Sequence, residues 1–343
     1  MRGAALVLGL AAGVLTPLAV LATQTPSPHS SALSTPDVRS APAVRTTPTT
    51  TPAAPTPPPS GNPRVVQGGA RYLFIAQDWT VPCQDTGQAV RVARNARALA
   101  AALEQGGRPA VVTIGPDKST VVARQVPATV PEQRCAEASR AAVWRELTRS
   151  AGPSFLDLRP ALTTADRSVQ TYWRKDTHWT PSAGAVYARA LAQRFDPALA
   201  ARLTTRSGTA TRHGDLARVL SRDDAETVRT RELVNPDVRV EELPRQDIGM
   251  GQGARRTRAV PGPTGRVVPG LTVLVGDSFD DTAVEQLAPL FEQALFFWPG
   301  LQNSSLPTIM KQVARADRVV VETVERFDQR YRMFDDAAVQ AAR

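Results

Sequence analysis

Cysteine is nearly absent from this chain: Cys83 and Cys135 are the only two in 343 residues. That excludes a disulfide-dense scaffold and a zinc site built from cysteine clusters. Two readings of the pair remain, one disulfide or two buried thiols, and an exported chain favours the disulfide. Lysine is scarce as well. Lys118, Lys175 and Lys311 are the only lysines among 41 basic residues, which face 32 acidic ones for a net charge of +9. The arginines are scattered among acids, form no run and have no aromatic interleaving, which argues against nucleic acid as a partner. Attraction to an anionic wall or capsule polymer is compatible with that charge. Histidine is limited to His29, His178 and His213. No His or Cys cluster has ligand spacing, so the sequence calls for no metal and no other cofactor.

Long apolar runs are missing too, with one exception. Residues 3–22 follow Arg2, carry no charge and read as a secretory signal, with Pro17 as a helix breaker and Val20 and Ala22 before a cut. Twenty apolar residues also suffice for an uncleaved membrane anchor. No cysteine lies near residue 22 to carry a lipid. Residues 23–67 have almost no large apolar side chain, and 11 of the 29 prolines fall between Pro26 and Pro63. Such a stretch has nothing to bury and is expected to be a disordered, extended linker. Residues 68–343 are then enough for one domain with a substantial core.

That domain alternates apolar runs with amphipathic stretches. Strands are expected at 72–76, 110–114, 154–158, 271–275, 295–298 and 318–323, and helices at 88–105, 138–150, 182–195, 282–293 and 306–316. The alternation predicts a three-layer α/β/α domain around a parallel sheet, doubly wound. Residues 202–268 break the pattern. They are polar, Arg-rich and punctuated by Gly and Pro, and are expected to be an insertion of loops with short helices over one end of the sheet.

Two short motifs carry chemistry: Asp176-Thr177-His178-Trp179, and Gly276-Asp277-Ser278-Phe279 about a hundred residues later. The second follows an apolar strand of 271–275. A hydroxyl at a strand's carboxyl end, ahead of a helix, lies among free backbone N–H groups able to hold an oxyanion. Asp280 or Asp281 is expected to cap a helix beginning near Thr282, and Asp277 to form the turn. In the first motif an extended backbone would put Asp176 and His178 on one side, the carboxylate fixing the imidazole tautomer. Thr180 and Pro181 supply a cap and first turn for the next helix. His213 is a competing base, paired locally only by Asp215. Lys118 is read as a contact for an anionic substrate or as a solvated loop lysine. Trp179, Trp173 and Trp298 are read as sugar-stacking or core residues.

The block Tyr172–Pro181 with Gly184 resembles the D-x-H-W block of the alginate O-acetyltransferase group, the AlgX/AlgJ-like members of the SGNH hydrolase superfamily. Pro116–Thr120, Gly214-Asp215-Leu216, Gly276–Phe279 and Ala316–Arg326 resemble further segments of that group. Its members place Asp-x-His ahead of the serine, as if the usual SGNH order were circularly permuted. The resemblance implies Ser278 as nucleophile, His178 as general base and Asp176 as its orienting acid. It also implies a cell-surface or secreted polysaccharide as acceptor and a membrane-bound acyltransferase as a source of acetyl groups. The expectation is an extracytoplasmic, serine-dependent polysaccharide O-acetyltransferase. The alternatives are a carbohydrate acetylesterase and a non-catalytic polysaccharide-binding scaffold.

Overall fold

The structure, a computed structural model, describes residues 64–149, 152, 154–246, 254–297, 306–326 and 332–343. The signal or anchor segment, most of the expected linker, and Trp298 lie outside the described residues. A short antiparallel pair, β1 (Val65–Gln67) and β2 (Leu73–Ile75), comes first. Then follow α1 (Gln77–Gln84), α2 (Thr86–Gln105), β3 (Ala110–Gly115), α3 (Lys118–Val121), α4 (Gln133–Thr148), β4 (Phe155–Asp157), α5 (Arg159–Ala165) and α6 (Pro181–Phe195). The chain continues through α7 (Pro197–Arg202), β5 (Thr204–His213), α8 (Asp215–Val219), β6 (Ala225–Val234), β7 (Val238–Gln246) and β8 (Ala254–Pro261). It closes with β9 (Val268–Val275), α9 (Ser278–Leu287), β10 (Phe291–Phe297), α10 (Leu306–Val313), β11 (Arg318–Val324) and α11 (Asp336–Ala342).

A seven-stranded sheet runs in the order β4-β3-β11-β9-β10-β8-β7. Strands β4, β3, β11, β9 and β10 are parallel, and β8 and β7 add an antiparallel edge. The parallel strands are apolar on both faces because helices cover both. Leu274 and Val320 point to the side of α6 and α9, while their neighbours Val273, Val275, Val319 and Val321 point to that of α2, α4, α10 and α11. This is the three-layer α/β/α arrangement expected from the sequence. The Cys83–Cys135 disulfide joins α1 to α4. No helix among the described residues is long and apolar enough to cross a membrane.

Local signals explain the helix bounds. Asp85 accepts the Gln88 N–H at 2.8 Å to start α2, and Gly106 and Gly107 end it, the latter at φ +74°. Pro181 opens α6 at a position where a missing N–H costs nothing.

Three expectations need correction. Residues 202–268 are mostly strand: β5 and β6 form a long antiparallel ribbon, and β7 and β8 extend the main sheet. Polarity hid them, because pairing recruits backbone groups and the ribbon's inward face includes Glu226 and Thr230, so apolar and polar residues do not alternate. The strand near residue 74 belongs to the small β1–β2 pair. The helix expected over 282–293 starts earlier, at Ser278, and gives way to β10 at Phe291.

Candidate active site

Gly276 and Asp277 make the turn from β9 into α9. Gly276 has to be glycine here, since a Cβ would lie 2.2 Å from Cβ of Asp280. Its N–H donates to the Phe297 carbonyl at 3.0 Å, tying the turn to β10. Asp277, not Asp280 or Asp281, is the helix cap, which is why the helix begins four residues before the expected start. Its Oδ1 accepts the Phe279 N–H at 2.8 Å, and its Oδ2 accepts the Val324 N–H at 2.8 Å from β11. Ser278 is therefore the first residue of α9, half-buried, beyond the carboxyl end of β9. Its N–H belongs to the free amides of a helix start. Among the described residues its hydroxyl forms no hydrogen bond.

Behind this turn are two buried carboxyl groups: Glu322, which the sequence reading did not single out, and Asp280, which it expected only as a possible helix cap. Glu322 on β11 is 0% exposed and accepts the Asp277 N–H at 3.3 Å. Burial, then the charges of Asp277 and Asp280, push its carboxyl far above the usual range. Asp280 is pushed up to about 7 by burial and by the charge of Asp277, against a lowering bond to Tyr187.

The Asp-x-His segment is a turn rather than the extended stretch expected from sequence. Tyr172 bridges antiparallel to Trp179, and the Trp173 N–H donates to the His178 carbonyl at 3.2 Å. Asp176 folds back over this turn. Its Oδ1 lies 2.6 Å from His178 Nδ1 and accepts the His178 N–H at 2.9 Å. Its Oδ2 accepts from Arg212 Nε at 2.8 Å and from the Asp215 N–H at 3.0 Å. Asp176 is 1% exposed. Burial alone would raise its carboxyl, but the bond and charge of His178, with Arg212, hold it well below the usual carboxylate range.

Gly214-Asp215 clamps the turn from outside. Asp215 accepts the Thr177 N–H at 2.8 Å and the Thr177 hydroxyl at 2.5 Å. A Cβ on Gly214 would sit 2.0 Å from the Lys175 carbonyl oxygen, so close approach dictates glycine. The imidazole of His178 reaches the start of α9, its ring centroid 5.2 Å from that of Phe279, the residue after Ser278. The fold thus carries both sequence motifs to one end of the parallel sheet. Asp176, His178 and Asp215 offer ligand atoms within 4.8 Å of one another. Arg212 already occupies Asp176 Oδ2 and its charge opposes a cation, so the donor set suits an acid–base pair better than a metal.

Of the other candidates, Lys118 and His213 hold different positions from those expected. Lys118 is not a substrate contact: it is 2% exposed, and its ammonium donates to the backbone carbonyls of Leu73, Trp173 (2.9 Å) and Asp176. Burial pushes it down to about 8. Trp179 is a core residue, 5.1 Å from the Phe279 ring and 5.5 Å from Tyr187, and offers no face to a sugar. Trp173 is buried as well. His213 is exposed and pairs with Asp223 at 2.9 Å, away from Asp215. Arg212 was missed because it lies in the segment that showed no period.

Residues 65–255 match the family described as SGNH hydrolase-like domain, acetyltransferase AlgX. The match spans more than half of the chain, which belongs to this family; it includes the Asp-x-His turn and stops short of Ser278. The O-acetyltransferase domain of Pseudomonas putida AlgJ is similar over 82% of this chain and 98% of its own, with 21% identity and a TM-score of 0.53. Bacillus cereus PatB1 with a sulfonyl adduct is similar over 79% of this chain and 98% of its own, with 11% identity and a TM-score of 0.53. At these identities the two structures speak for the fold. No curated protein gives a significant sequence match.

Proposed function

We propose that the chain is an exported, serine-dependent polysaccharide O-acetyltransferase that works through an acetyl ester on Ser278. The observation that carries this reading is the Asp176–His178 contact of 2.6 Å, held beside the helix whose first residue is Ser278. Family membership and the likeness to an AlgJ O-acetyltransferase domain support the acetyl chemistry.

In the first half-reaction Ser278 Oγ attacks the carbonyl carbon of an acetyl donor while its proton passes to His178 Nε2. Collapse of the tetrahedral adduct returns that proton to the departing group and leaves the ester on Ser278. A sugar hydroxyl then attacks the ester and gives its proton to His178, which passes it to Ser278 Oγ as the acetylated sugar leaves. Asp176 keeps Nδ1 protonated throughout, so Nε2 is the nitrogen that takes up and returns each proton. General-base action contributes about 10²–10⁴-fold, and an oxyanion donor such as the Ser278 N–H about 10²–10³-fold. A serine hydroxyl with no hydrogen bond among the described residues fits a resting enzyme, since such bonds tighten when substrate binds. Residues 3–22 are the segment that would export the chain, and a membrane-bound acyltransferase is the donor partner that the resemblance suggests.

The test is turnover of a chromogenic acetyl ester by the purified protein, with and without oligosaccharide acceptors. Acetylated sugar, lost in Ser278→Ala, is the expected product. Free acetate alone would make the protein an esterase, and no turnover that depends on Ser278 would make it a scaffold.

A further inference from the structure

The β5–β6 ribbon grips the Asp-x-His turn with two residues that face each other across its strands. Arg212 on β5 is in register with Glu226 on β6, and they lie on the ribbon's inward face together with Gly208, Ala210, Val228 and Thr230. Glu226 holds the backbone ahead of the acid: its Oε2 accepts the Arg174 N–H at 2.8 Å and the Lys175 N–H at 3.2 Å, and its Oε1 accepts from Gln170 at 2.8 Å. Arg212 holds the acid itself, through Nε to Asp176 Oδ2 at 2.8 Å, with Nη2 3.5 Å from His178 Nδ1.

From this we infer that Arg212 is a positioning residue of the acid–base pair, delivered by the inserted ribbon, which turns Asp176 so that Oδ1 meets His178 Nδ1. The inference rests on the reading of Ser278, His178 and Asp176 given above. A carboxylate has two oxygens and one soft torsion. Fixing Oδ2 between Arg212 and the Asp215 N–H leaves Oδ1 only one place to point. The arginine also offsets the cost of keeping a buried carboxylate ionised before the imidazole is protonated. The charged groups around Asp176 and His178 are Arg212 on Oδ2, Asp215 3.8 Å from the imidazole, and the Lys118 ammonium on the Asp176 carbonyl. A mere surface ion pair would bring Arg212 together with the acid but contribute nothing to the rate.

The two roles separate in one set of variants. The Arg212 side chain is 33% exposed, so a small cation from solution can refill the site of Arg212→Ala. Arg212→Ala is expected to lower kcat for the acetyl ester by about 10–100-fold, the scale of a misplaced catalytic group. KM should stay within about twofold, because the lost contact is to Asp176 and its effect is felt where His178 acts as base in the transition state. Guanidinium added at millimolar concentration should restore part of the rate, and Arg212→Gln, which keeps an N–H donor, should lose less than Arg212→Ala. Arg206→Ala, which removes an exposed arginine of β5 paired with Glu232 on β6, is the control and should behave as wild type.

An unchanged kcat in Arg212→Ala would overturn the inference, as would a loss that Arg206→Ala shares and guanidinium leaves untouched. A second readout does not need turnover. The downfield proton resonance of the His178–Asp176 hydrogen bond should vanish in Arg212→Ala and return with guanidinium, and its persistence in that variant would overturn the inference equally. Turnover that survives Ser278→Ala instead removes the reading of the triad, and the resonance still decides whether Arg212 orients the pair.

Discussion

Asp176 is the residue on which the site is built, because four N–H groups converge on its two oxygens: the amide and Nδ1 of His178, Arg212 Nε and the Asp215 amide. Its own carbonyl is held as well, by the buried ammonium of Lys118. Replacing that lysine by methionine keeps the bulk and strands the carbonyls of Leu73, Trp173 and Asp176. An unsatisfied buried acceptor costs about 1–3 kcal/mol, so Lys118→Met should lower the unfolding midpoint by at least the equivalent of one such group. The KM for an anionic oligosaccharide acceptor should not change, and a raised KM with unaltered stability would restore Lys118 as a substrate contact. Asp280 behaves differently from Asp176. Its folded carboxyl is pushed up to about 7, against about 4 in an unfolded chain, so its stabilising contribution is complete below about pH 4 and is lost as pH rises through 7. Asp176, held low, contributes in the opposite sense: its share is present above the unfolded value and is lost only as the solution becomes strongly acid. Asp280→Asn should therefore flatten the decline of thermal stability between pH 4 and 7, and an unchanged slope in a pH series of melting curves would contradict the assignment.

At the level of elements, chain order and chemistry were legible wherever a strand or helix is apolar on the face it buries. β3, β9 and β11 are such runs, and α2 and α6 have both a helical period and a stop or start signal. The Asp-x-His and Gly-Asp-Ser motifs could be read because each precedes a helix, and Gly214-Asp215-Leu216 stood out without revealing that it clamps Thr177. The ribbon could not be read: β5 has no large apolar residue, and β6 turns Glu226 and Thr230 inward to serve a polar neighbour. Polar contacts displaced the usual pattern there, since Glu226 and Arg212 on the inward face bond the backbone ahead of Asp176 and the Asp176 carboxylate. Glu322 was illegible, and Asp280 was read only as a cap, for a related reason: buried carboxyl groups look like surface ones in a sequence. The disulfide lends itself to a quantitative test at this scale. It joins α1 to α4 across a separation of 52 residues, and closing a loop of that size in the unfolded chain is worth about 4 kcal/mol in the chain-entropy picture. Reduction, or Cys83→Ser with Cys135→Ser, should lower the melting midpoint by roughly 10 °C, with KM and kcat at low temperature little altered. A midpoint that does not move would show that α1 and α4 are held by packing alone.

For the whole molecule, the parallel sheet does what such sheets do elsewhere: it collects groups from distant parts of the chain at the carboxyl ends of its strands. β9 leads into Ser278, β11 braces the turn through Glu322 and Val324, and the inserted ribbon bonds Asp176 through Arg212. The order of the motifs, acid and base before serine, matters little to a constellation defined in space. The central claim is that this constellation forms an acetyl-serine, and peptide mapping after acid quench tests it most directly. The full chain is mixed with an acetyl ester, stopped within a turnover and digested. The account predicts an acetyl group on Ser278 in the wild type, none on any residue in His178→Ala, and transfer of that acetyl to sugar when oligosaccharide is added before the quench. An acetyl group found on another residue, or steady turnover by an enzyme whose Ser278 is never acetylated, would contradict it.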